Sequence, residues 1–86
     1  MPYIKRADRV RYEPYLGTLK SVIAMAPPGE LAYVLFQVIR MWLGKDPNFS
    51  SFAKALGVLE TTKLEVYRVL VTPYEDLKRE ENGDVP

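Results

Sequence analysis

Apolar residues recur at helical spacing along most of this chain, and prolines and glycines cut the pattern into four segments. The first runs from about Arg6 to Ala26, where Tyr12, Leu16, Leu19, Ile23 and Ala26 fall alternately four and three positions apart. Pro14 has no amide hydrogen to give and its ring crowds the preceding turn, so it belongs in the first turn of this helix. Residues 6–12 then form a looser or separate turn, and Pro27-Pro28-Gly29 stops the segment.

The second helix is predicted from near Pro28 to near Gly44, where Gly44-Lys45-Asp46-Pro47 reads as a cap and turn. It is apolar almost all round, interrupted by Glu30, Gln37 and Arg40. A helix of that kind requires burial on nearly every side. Two neighbours in a small bundle leave part of it uncovered. The third segment opens at Asn48, a good N-cap residue, and runs to Thr72. Phe52, Leu59 and Val66 recur every seven residues through Gly57, as do Leu56, Lys63 and Leu70, which predicts one helix and not two. Pro73 is expected to end it. Thr72-Pro73-Tyr74-Glu75 then reads as a capping box opening a short last helix, with Asn82-Gly83 as its exit after Glu81. Tyr74 and Leu77 share a face, so the tail is expected to be ordered. These elements make an all-α protein: a single domain over 1–86, built as a compact bundle of three main helices plus a short C-terminal helix, with helix two at its centre.

Composition sharpens one part of this picture. Eighty-six residues make a domain whose stability margin is thin. With no cysteine and no histidine, neither disulfides nor the usual zinc ligands reinforce it. Tight helix packing or association with another copy remains. The first six residues lack the apolar run of a secretory leader, and Leu31 to Leu43 is too short and too interrupted to span a bilayer. A cytoplasmic protein with no membrane association is expected.

The net charge is +1, which gives no global field for nucleic acid, but the charge is unevenly spread. Residues 1–20 carry Lys5, Arg6, Arg9, Arg11 and Lys20 against Asp8 and Glu13. Residues 73–86 carry Lys78 and Arg79 against Glu75, Asp76, Glu80, Glu81 and Asp84. The head is therefore +3 and the tail −3, and the two are able to pair within one chain or between two.

Three constellations bear on chemistry. Residues 49–72 contain a helix-turn-helix candidate: Ala53 and Gly57 lie four apart, and Thr62-x-x-Glu65 could cap a recognition helix. Against it, the next apolar residue, Leu64, falls one position late, the seven-residue phase runs unbroken through Gly57, and the stretch lacks a concentrated basic face. The basic head offers arginines and tyrosines for backbone and stacking contacts, or is simply a solvated first turn. Glu60, Lys63 and Tyr67 follow one another at about one turn's spacing, and such a group does proton chemistry when partly buried or is a structural ion pair. No glycine-rich phosphate loop and no carboxylates spaced for a metal accompany them, so neither cofactor nor metal is expected.

The opening Met1-Pro2-Tyr3-Ile4, the stretch Leu59-Glu60-x-x-Lys63-Leu64-Glu65-x-Tyr67-Arg68, and the closing Pro73-Tyr74-Glu75-Asp76 with Glu81-Asn82-Gly83-Asp84-Val85 together carry a resemblance. The chain resembles a family of short, uncharacterised microbial and viral proteins that open with MPYI and close with PYED…ENGDV. Members often finish on an aromatic residue, where this chain has Pro86. The resemblance implies helical structure and no activity. Tyr74, Glu75, Asp76, Asn82, Gly83 and Asp84, in the acidic tail, are the candidate interaction residues. The function expected from all of this is a non-enzymatic interaction module that forms a homo-oligomer, most economically a dimer, or docks on a protein partner. The alternative is a small nucleic-acid-binding regulator using residues 49–72 or the basic head.

Overall fold

The structure is a computed structural model and describes residues 3–85; Met1 and Pro2 of the MPYI opening, and Pro86, lie outside the described residues. All regular structure among the described residues is helical: α1 (Arg6–Arg9), α2 (Glu13–Ile23), α3 (Pro28–Leu43), α4 (Phe49–Val66), a π-helical turn (Tyr67–Val71) and α5 (Thr72–Asn82). The chain divides into two units, whose described parts are residues 3–55 and residues 56–85, with the boundary inside α4.

In the first unit, local chemistry accounts for each boundary. Pro14 occupies the first turn of α2, with the separate short α1 before it, as its missing amide requires. α2 stops at Ile23, three residues short of the expected Ala26. The residue before Pro27 is disfavoured in the α region, so the chain leaves the helix early. Met25 makes the exit at φ 62°, a left-handed position more often given to glycine. α3 starts on Pro28 and ends with Gly44 at φ 75°, its amide donating to the Arg40 carbonyl at 3.1 Å. Asn48 caps α4: its Oδ1 accepts from the Ser51 amide at 2.8 Å and from the Ser51 hydroxyl at 3.0 Å.

The second unit departs from expectation at one place. Thr72 does not cap and Pro73 does not end a helix. Thr72 is itself in the right-handed helical region, without a side-chain cap bond, and helical structure continues from α4 through the π turn into α5. Proline in an α ladder clashes with the carbonyl four residues back and leaves that carbonyl without its donor. The turn just before Pro73 is wider instead, with the Thr72 amide reaching the Tyr67 carbonyl, five residues back. The π turn is how this helix passes a proline. α5 then ends at Asn82, one residue beyond the expected Glu81, with Gly83 at φ 83° and its amide donating to the Arg79 carbonyl.

Neither unit encloses a core. Ala55 is the one buried residue among those described, and α1, α2, α3, the π turn and α5 bury none. Leu19, Ile23 and Ala26 of the first apolar stripe and Val34, Ile39 and Leu43 of α3 are partly covered, while Tyr12 and Leu16 stay exposed.

Candidate functional site

α3 exposes a broad apolar surface. Tyr33, Phe36, Met41 and Trp42 are each 59–73% exposed, and Leu31, Leu35 and Val38 are exposed beside them. Val34, Ile39 and Leu43 are partly covered, and the other large apolar residues of α3 are left in water. Its polar relief is slight: the Arg40 guanidinium lies 5.9 Å from the Phe36 ring centre, within cation–π range. Contiguous apolar surface of this kind marks association sites on soluble proteins.

The candidate residues of the tail come together in part. Glu75, Asp76, Asn82, Gly83 and Asp84 line one open cleft of about 360 Å³. Arg79 stands between two of these acids, 3.6 Å from Asp76 and 3.9 Å from Asp84, and Lys78 pairs with Glu81 at 3.2 Å. Tyr74 does not line this cleft; its ring lies beneath the Lys78 ammonium at 5.6 Å. The tail therefore neutralises part of its own charge with its two cations. Pairs this exposed contribute at most about 1 kcal/mol each.

The Glu60–Lys63–Tyr67 group is not enclosed. Lys63 pairs with Glu60 at 3.2 Å, but all three residues are more than half exposed and none lines either cleft described here. What the motif stretch does build is a second pair that the sequence reading missed. Arg68 grips Glu65 with two parallel bonds, Nε to Oε1 and Nη2 to Oε2, each 3.1 Å. The Glu65 side chain is only 20% exposed, so this fork-to-fork pair is better shielded from water than the pairs of the tail. The E-x-x-R spacing carried the signal, since residues three apart are helix neighbours.

Gly57 lies inside α4 with no positive φ, so the turn that a helix-turn-helix needs at that position does not form. The basic head forms a cleft of its own, of about 570 Å³, lined by Tyr3, Ile4, Arg9, Tyr12, Glu13 and Leu16. Arg9 shapes it by donating from Nε to the Ile4 carbonyl at 2.9 Å, and Arg11 donates to the Tyr12 hydroxyl at 2.9 Å. Nothing in the sequence periodicity announced this cleft, because it depends on the Arg9 side chain reaching the Ile4 carbonyl rather than on a helical face. Among the described residues no group of acids could hold a metal ion, and no helix is long and apolar enough to cross a membrane.

Residues 1–85 match a family described as a domain of unknown function, DUF6899. No curated protein and no solved structure matches the chain.

Proposed function

We propose that this chain, which belongs to the DUF6899 family, is a non-enzymatic helical assembly module whose bundle is completed by a second copy of itself. The observation that carries the reading is α3, a sixteen-residue helix of almost wholly apolar sequence with no buried residue. A two-fold dimer is the simplest closure, because one patch then covers its own copy.

The test is molar mass in solution. Light scattering at micromolar concentration is expected to give twice 9.9 kDa. Phe36→Glu places a charge on the exposed face one turn from Arg40, a spacing that supports the helix itself, and is expected to return the chain to monomer. A wild-type mass of 9.9 kDa would sink the reading. A stable complex formed only with a different protein would replace the homo-oligomer with a docking module.

A further inference from the structure

We infer that the cleft in the basic head is the receptor for the acidic C-terminal segment of a second copy, so that the dimer is held by two reciprocal head-to-tail contacts in addition to α3. This rests on the self-association proposed above and names the segments that meet.

The cleft has the right composition on two counts. Its floor is apolar and aromatic, from Tyr3, Ile4, Tyr12 and Leu16. Its surroundings are cationic: Lys5, Arg6, Arg9 and Arg11 make no ion pair among the described residues. Arg9 spends Nε on the Ile4 carbonyl, and its two terminal nitrogens have no partner among the described residues, at the edge of a cleft they help to line. Glu13 also lines the cleft, with Arg9, and Asp8 lies in the same segment; counting Lys5, Arg6 and Arg11, residues 3–16 still carry four cations against two acids, a net charge of +2.

The tail is complementary on the same two counts. It is −3 where the head is +3, and Glu75 and Glu80 make no ion pair among the described residues, whereas Asp76, Glu81 and Asp84 are held by Arg79 and Lys78. Tyr74, Leu77 and Val85 are exposed apolar side chains beside those acids. A segment with carboxylates outside any ion pair and exposed apolar groups suits a cleft bordered by cations outside any ion pair and floored by apolar groups.

Two-fold symmetry explains why such a weak contact matters. In a two-fold dimer each residue pair occurs twice, so head meets tail at two places. Once α3 has brought two copies together, each tail searches at the high effective concentration of a tethered ligand. Pairing of head with head would place like charges together, so the contact also fixes the orientation of the two copies.

Charge reversal on the intact chain tests this. Lys5→Glu with Arg6→Glu reverses the head at side chains that make no ion pair among the described residues, and Glu75→Lys with Glu80→Lys reverses the tail. Each doubly substituted chain alone is expected to dimerise about tenfold more weakly at low salt, the loss shrinking as salt is raised. An equimolar mixture of the two is expected to restore affinity as a heterodimer carrying one of each, since opposite charges again face one another. Dimerisation of both variants at wild-type strength, or no recovery on mixing, overturns the inference and leaves the α3 dimer standing. A wild-type chain that is monomeric at every concentration removes both readings together.

Discussion

At the scale of the residue, the same substitution has opposite signs at two glycines. Gly44 holds φ 75° and ψ −159°, a region that residues with a Cβ scarcely enter. Gly57 sits in the interior of α4, and nothing lies within 4 Å of a Cβ added there. Gly44→Ala is therefore expected to destabilise by about 1–3 kcal/mol. Gly57→Ala is expected to stabilise by about 1 kcal/mol, by reducing the freedom of the unfolded chain and favouring helix. Urea denaturation of both variants at one fixed protein concentration checks the pair. Destabilisation by Gly57→Ala would mean that a turn forms at that glycine, and with it the geometry of a helix-turn-helix. The residues that the sequence made legible are of the Gly44 kind. Gly44, Asn48 and Gly83 act through their own backbone or their own short side chain, so their roles can be read without knowing the fold. Met25 was not legible, because a methionine in the left-handed region is imposed by Pro27 and by the route of the chain rather than chosen by its own preference.

At the scale of the element, the instructive case is the passage from α4 to α5. Thr72-Pro73-Tyr74-Glu75 satisfies every local rule for a helix start, and the rule fails because a competing solution exists. Widening one turn removes the clash of the proline ring without ending the helix, and an uninterrupted helix keeps more backbone hydrogen bonds than a break followed by a new N-terminus. Periodicity placed α3 and the start of α4, but not the end of α4 at Val66, because it depends only on which side chains share a face. It could not show a π turn, which inserts a residue into the hydrogen-bond ladder and leaves no mark on composition. If Pro73 is the cause of the π turn, removing it should remove the turn. Pro73→Ala is expected to restore bonding from residue i to i−4 across residues 67–73 and to stabilise the helix by up to about 3 kcal/mol. Backbone chemical shifts and hydrogen-bond couplings report the register directly. A π turn that persists with alanine at position 73 would show that the Glu65–Arg68 pair or another contact holds it open instead.

At the scale of the whole molecule, stability and association are linked through the exposed face of α3. Pattern reading placed four helical segments and an apolar second helix that demanded cover on all sides, and the structure forms that helix and leaves it exposed. What covers an apolar face is not written locally: the same stripe of Tyr33, Phe36, Met41 and Trp42 packs equally well on a neighbour in the chain or on a copy. The tail cleft was legible only as a set of charges, since the placement of Arg79 between Asp76 and Asp84 depends on how α5 ends. If the bundle is completed by a second chain, folding and dimerisation are one equilibrium, and the melting temperature depends on protein concentration. For a dimer that unfolds to two chains, each tenfold rise in concentration adds about 1.4 kcal/mol per mole of dimer to the apparent stability. Thermal melts followed by circular dichroism over two decades of concentration are therefore expected to shift upward steadily. Phe36→Glu is expected to melt at a lower temperature and without that dependence, because its α3 face no longer closes on a copy. A wild-type melting temperature that stays constant across the range would show that a single chain folds alone, and α3 would then need its cover from within.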